Sequence, residues 1–147
     1  MKTITYAENI LEWQEEFSFY IPVRIRFSET DMFGHVNNVS PFIYFEEARI
    51  EFLKSLDLFG TSSSEEMIPV AADLQCDYLK QMFFNDSIRV YVKAADIGNT
   101  SVDLHYMILN QQDEICVTGR GRLVYINPVT GRPVRLTESM REKLKAN

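Results

Sequence analysis

The sequence predicts an α+β fold, an antiparallel five-stranded sheet wrapped around one long buried helix. Three observations lead there. One run, from about Val39 to Leu56, is apolar around most of a helical wheel and leaves only a narrow polar stripe. Five other segments alternate apolar and polar residues with the period of a strand. Their order is strand, helix, then four strands with turn residues between them, which favours antiparallel neighbours and one helix packed against one sheet.

The elements follow in chain order. Residues Tyr6 to Phe17 suggest a short helix with a ragged apolar side of Ile10, Leu11, Trp13 and Phe17. From Phe19 to Phe27 the odd positions are Phe, Ile, Val, Ile and Phe, and the even ones include Arg24 and Arg26. That is a half-buried strand, and Pro22 marks it as an edge. A loop from Ser28 to Asn38 leads into the long helix, with Asn37 or Asn38 as its N-cap and Pro41 in its first turn. Gly60 and Ser62 to Ser64 mark a further loop. Strands are expected at Val70–Tyr78, Ile88–Val92, Val102–Ile108 and Glu114–Ile126, the last with Gly119 and Gly121 inside it. Asn85-Asp86, Gly98-Asn99 and Gln112-Asp113 signal turns. A short basic helix capped by Thr137 closes the chain.

Composition narrows the function. The 147 residues suit one domain, with 46% hydrophobic and 24% charged residues. A net charge of −6 argues against general nucleic-acid binding but not against an anionic ligand held by a local cluster of Arg and Lys. Cys76 and Cys116 form no CxxC pair and read as reduced, buried thiols. The first residues lack the apolar core of a signal peptide, and no apolar run approaches the ~20 residues of a membrane span. A cytoplasmic location is the expectation.

Chemistry concentrates in the loop before the long helix, Phe27-Ser28-Glu29-Thr30-Asp31-Met32-Phe33-Gly34-His35-Val36-Asn37-Asn38. A carboxylate precedes a helix start, and Gly34 lets backbone come close to a ligand. Amides at a helix start lack intrahelical partners and carry the positive end of the dipole, so they can bind a carbonyl oxygen as it becomes an oxyanion. The carboxylate can attack that carbonyl or take a proton from water. Equally, Asp31 can be an Asx-turn residue and nothing more. Neither a Gly-x-Ser-x-Gly elbow nor metal-ligand spacing is present.

Arg26 to Asn38, followed by Tyr44-Phe45-Glu46-Glu47-Ala48-Arg49, resembles the 4-hydroxybenzoyl-CoA thioesterase-like family, closest to the branch with an Asp-x-x-Gly-His-Val-Asn-Asn core. Cys76-Asp77-Tyr78-Leu79 and Gly131-Arg132-Pro133-Val134 extend the likeness, which runs from about Tyr20 to the C-terminus. The resemblance implies a single hot-dog domain over residues 1–147, with 1–17 as an N-terminal extension of unassigned role. It also implies a homodimer or homotetramer and hydrolysis of acyl-CoA, with coenzyme A part of the substrate and no separate cofactor. It places the catalytic carboxylate on Asp31, with His35 and Asn38 beside it and carbonyl-polarising backbone at Gly34, Val36 and Asn37.

Further residues carry two readings each. His35 can orient Asp31, touch substrate, or hydrogen-bond backbone. Glu46 shares a face with Phe42, Ile43, Ile50 and Leu53, which implies partial burial and a partner in Arg49, or else a second catalytic carboxylate. Arg120 and Arg122 can hold coenzyme A phosphates or line a solvated strand face. His105 faces away from the apolar side of its strand and reads as structural or exposed. The competing functions are a hydratase or dehydratase of the same fold and a non-catalytic binder of acyl-CoA or acyl-carrier protein.

Overall fold

In the computed structural model, residues 3–59 and 67–147 are described. The expected loop at Gly60 and Ser62 to Ser64 lies outside them. Five strands form one antiparallel sheet: β1 (Phe19–Arg24), β2 (Ile68–Tyr78), β3 (Ser87–Ile97), β4 (Ser101–Leu109) and β5 (Ile115–Ile126), in the spatial order β1-β3-β4-β5-β2. Among the described residues three α-helices accompany them: α1 (Ile10–Glu15), α2 (Ser40–Ser55) and α3 (Glu138–Lys145). The β3-β4 and β4-β5 pairs are hairpins, whereas β2 crosses to the far edge and pairs with β5. The Asn85-Asp86 turn therefore ends a crossover, and Asn85 adopts the left-handed region at φ 70° that such a turn requires.

The helix α2 packs on one face of the sheet. Tyr44, Phe45, Ala48, Phe52 and Leu53 are buried there beside Val90, Leu104 and Tyr106. Phe45 stacks on Tyr106 with ring centroids 4.4 Å apart. The closeness explains Gly119: a Cβ there would lie 2.7 Å from Phe45 Cζ and 2.9 Å from the Gln75 carbonyl oxygen. Any side chain at 119 would push the helix off the sheet.

The expectation of an enclosed α2 is corrected in one respect. Val39 is 58% exposed and Ile43 50% exposed, so the outward face carries apolar residues as well as Glu47, Glu51 and Lys54. Glu46 belongs to that face, its side chain 63% exposed and 3.8 Å from Arg49, rather than partly buried. Offsets of three, four and seven placed it with Phe42, Ile43, Ile50 and Leu53, but that stripe is split: Leu53 is buried and Phe42 packs on the core, whereas Ile43 and Glu46 face outward. The first strand also ends earlier than its alternation suggests. Ile25 is buried, while Phe27 begins a short 3-10 turn and is 76% exposed.

The opposite face of the sheet is covered by the N-terminal extension. A 3-10 turn at Thr5–Ala7 and α1, capped by the Asn9 side chain, bury Ile4, Ala7 and Trp13 against Met107 and Leu109. This second cover is why β4 is buried almost continuously rather than on alternate residues. His105 is 9% exposed as a result, so it is structural and not a surface residue. Trp13 Nε1 donates to its Nδ1 across 2.8 Å. Tyr6 donates to Asp77 at 2.7 Å and meets Thr118 at 2.9 Å. Of the two thiols, Cys116 is buried and Cys76 partly exposed, and burial pushes Cys116 up to about 11.

Candidate functional site

The loop before α2 is a tight hairpin whose backbone organises the candidate carboxylate. Asp31 N–H donates to the His35 carbonyl at 2.7 Å, and Gly34 N–H returns to the Asp31 carbonyl at 3.1 Å. Gly34 sits at φ +82°, and a Cβ there would meet nothing within 4 Å. The turn needs glycine for its dihedral, with no crowding from neighbouring protein atoms. At the tip, Asp31 Oδ1 accepts from Phe33 N–H at 2.8 Å and His35 N–H at 3.2 Å. One carboxylate oxygen is thus fixed by two amides. Among the described residues Oδ2 has no partner.

A buried carboxylate that the sequence reading passed over anchors this hairpin. Glu29 is 7% exposed and accepts from Tyr44 Oη at 2.8 Å and from Arg26 through both backbone and guanidinium at 3.0 and 2.9 Å. Burial alone would raise its pKa, but the Arg26 and Tyr44 hydrogen bonds outweigh it and hold the group below the usual carboxylate range. Burial, reinforced by Glu29, raises the Tyr44 hydroxyl. The Glu29 carbonyl also accepts from Asn37 N–H at 2.9 Å and Ser40 Oγ at 3.1 Å. The Arg26-x-x-Glu29 spacing was the available signal for the ion pair; nothing local pointed to Tyr44, fifteen residues on.

The helix start differs from the expected cap. Asn37 lies two residues before the N-cap position, Val39, yet its Oδ1 takes Val39 N–H at 3.0 Å and Ser40 N–H at 2.8 Å. Pro41 has no N–H to satisfy. Val36 N–H is spent on the Met82 carbonyl at 2.8 Å, and Asn37 N–H on Glu29. Of the backbone donors expected to polarise a carbonyl, Gly34, Val36 and Asn37 are therefore engaged within the protein. Among the described residues the Asn38 amide has no acceptor. Tyr78 Oη donates to the Asn38 carbonyl, tying the end of β2 to the helix start, and burial pushes that hydroxyl up to about 12.

His35 contributes its backbone to Asp31, while its ring stands edge-on to Phe83 at 5.1 Å. That ring also borders a pocket of about 190 Å³ shared with Val36, Pro41, Tyr78 and Met82. His35 is thus brought beside Pro41 at the start of α2, which Asn38 precedes, and Asp31 lies on the exposed hairpin that His35 closes. Glu46 lies farther along that helix on its outward face.

Arg120 and Arg122 lie on the sheet face opposite α2 and are already paired. Arg120 makes a forked contact with Asp103 at 3.0 Å and a further one with Asp73 at 3.0 Å. Arg122 Nε is 3.0 Å from the same Asp103, and its Nη1 donates to Ser101 Oγ at 3.0 Å. Carboxylates occupy the forks that the sequence reading offered to phosphates, and like charge around them opposes an anionic ligand. Among the described residues no group of three or more His, Cys, Asp or Glu side chains is placed to hold a metal, and no helix is long and apolar enough to cross a membrane.

Residues 25–144 match the model of the thioesterase-like superfamily. The chain belongs to that family. A Bacillus subtilis (strain 168) relative, the uncharacterized protein YsmA, is 44% identical over 133 residues, covering 90% of this chain and 89% of the relative. The long-chain acyl-CoA thioesterase FadM of Escherichia coli (strain K12) is 23% identical over 124 residues, 84% of this chain and 94% of FadM. Among solved structures, a thioesterase from Thermus thermophilus complexed with coenzyme A and zinc superposes with a TM-score of 0.77 at 30% identity, over 90% of this chain and 95% of that one. The sheet wrapped on α2 is the hot-dog fold of these thioesterase-like proteins, as the sequence resemblance implied.

Proposed function

We propose that this member of the thioesterase-like superfamily hydrolyses acyl-CoA thioesters to a free acid and coenzyme A, with Asp31 as the attacking or water-activating carboxylate. One observation carries the reading: Asp31 is held by two amides through Oδ1, and among the described residues Oδ2 has no partner, in the hairpin whose His35 borders the pocket at the start of α2. Such preorganisation is what a reacting carboxylate requires. The positive end of α2 and the Asn38 amide would stabilise the oxyanion. The coenzyme A bound to the Thermus thermophilus relative supports the substrate class. A hydratase would need an Asp–His pair set for proton transfer, whereas the His35 ring packs on Phe83.

The working unit in this reading is a homodimer or homotetramer. The edge strand β2 runs eleven residues with much of its length exposed. Beside the site, Met32 is 90% and Phe33 75% exposed, an apolar tip suited to a second subunit. Thiol release from a panel of short, long and aromatic acyl-CoAs tests the activity, with an enoyl-CoA as the hydration control. No thiol release from any member overturns the proposal. Light scattering showing a 17.1 kDa monomer at micromolar concentration overturns the assembly.

A further inference from the structure

We infer that Glu29 is a positioning residue for the Asp31 chemistry: through Tyr44 and its own backbone it locks the hairpin that carries Asp31 to the start of α2. The inference rests on the hydrolase reading and deepens it. That reading divides the work between two elements, since Asp31 sits on the hairpin while the Asn38 amide lies just before Ser40 at the helix start. Reacting groups must be held to within about 0.5 Å of their productive geometry. Something has to fix one element against the other.

Three rungs close the hairpin. Asp31 N–H donates to the His35 carbonyl at 2.7 Å, Thr30 bridges Val36, and Asn37 N–H donates to the Glu29 carbonyl at 2.9 Å. Glu29 is therefore the base of the hairpin, two residues from Asp31. Two further bonds run from this base into α2. Ser40 Oγ donates to the Glu29 carbonyl at 3.1 Å, and Tyr44 Oη donates to Oε1 at 2.8 Å. Tyr44 lies one turn into the helix and is 1% exposed, so packing denies it the freedom to follow a moving hairpin. Arg26 closes the other side, its backbone N–H on Oε1 and its Nε on Oε2.

Glu29 acts at a remove. Its side chain borders an open cavity of about 280 Å³ with Arg26, Tyr44 and Glu47, a different space from the pocket at His35 and Pro41. Its effect on the chemistry must pass through the backbone rather than through contact with substrate. The carboxylate is also hard to replace. Three donors converge on its two oxygens, and an amide in its place would turn one acceptor into a donor facing them.

The test uses Glu29→Gln, Tyr44→Phe and the double variant, with thiol release from acyl-CoA and amide hydrogen exchange read on each. Tyr44→Phe keeps the packing and the Glu29 charge and removes only the bond to the helix. Each single change should lower kcat about 10–100-fold with KM little changed, the scale of a misplacement near 1 Å. The double variant should be no slower than Glu29→Gln alone, because both changes break one link. The Asp31 and Asn37 amides should exchange faster in all three. Melting temperature confirms that the variants fold; if Glu29→Gln does not, Tyr44→Phe decides. Folded variants with wild-type kcat overturn the inference, as do losses that multiply in the double variant or a change confined to KM. A wild type that releases no thiol sinks the hydrolase reading instead. Amide exchange then decides alone: unchanged rates at Asp31 and Asn37 overturn the positioning role, and faster rates uphold it.

Discussion

The Trp13 indole donates to Nδ1 of a buried His105 across 2.8 Å, joining the N-terminal extension to the centre of β4. Burial chiefly, and then the Lys93 charge, lowers His105 to about 4; Arg120 adds to that, while Asp103 and Glu16 oppose it. The unfolded chain, near 6.5, therefore binds more protons than the folded one between those values. The neutral imidazole contributes stability fully above about 6.5, and that contribution is lost as pH falls toward about 4. The slope cannot exceed about 1.4 kcal/mol per pH unit for one group. His105→Gln, which keeps an acceptor but cannot titrate, should show a flatter fall of melting temperature from pH 6.5 to 5 than the wild type. Parallel curves would exclude His105 as the source.

Asp31→Asn should abolish most hydrolysis while leaving the hairpin standing. The amide oxygen can accept from Phe33 and His35 as the carboxylate does, so the turn keeps its geometry. What is lost is the charge that, in the proposed mechanism, attacks the thioester or deprotonates water. A fall in kcat of about 10²–10⁴ is expected, with melting temperature little changed. A variant retaining more than about a tenth of wild-type kcat would remove Asp31 from the chemistry.

Arg120→Met should act on stability rather than on coenzyme A. Its guanidinium is 18% exposed and pairs with Asp103, which is 14% exposed. Removing it leaves Asp103 with Arg122 alone, at a cost of about 1–3 kcal/mol, below the figure for a fully buried pair. Denaturant unfolding measures that loss. Coenzyme A should still raise the melting temperature of the variant as much as that of the wild type. A lost ligand shift would return Arg120 to the phosphate site.

Gly119→Ala should be costly although the change is one methyl group. The new Cβ meets both Phe45 and the Gln75 carbonyl, so backbone as well as a ring must move. A loss of about 1–3 kcal/mol is expected from overpacking, read as a lower denaturation midpoint. A neutral substitution would show that α2 shifts easily on the sheet.

Period and punctuation in the sequence determined the elements. Alternation from Phe19 to Val23 marked β1, and Pro22 placed it at an edge, because strand geometry and the missing N–H act locally. The Asp-x-x-Gly-His-Val-Asn-Asn run marked the candidate loop, since Gly34 and Asn37 serve the turn and the helix start through atoms only a few residues away. Tertiary structure decided what depends on distant partners. Tyr44 reaches Glu29 across fifteen residues and Trp13 reaches His105 across ninety-two, and no local pattern encodes either contact. The charges of Arg120 and Arg122 were visible in the chain, but whether phosphate or carboxylate meets them was set by the register that lays Asp103 opposite Arg122 and His105 opposite Arg120. Glu46 faced outward for the same reason. A helical period gives a stripe, and only packing against the sheet chooses which stripe is buried.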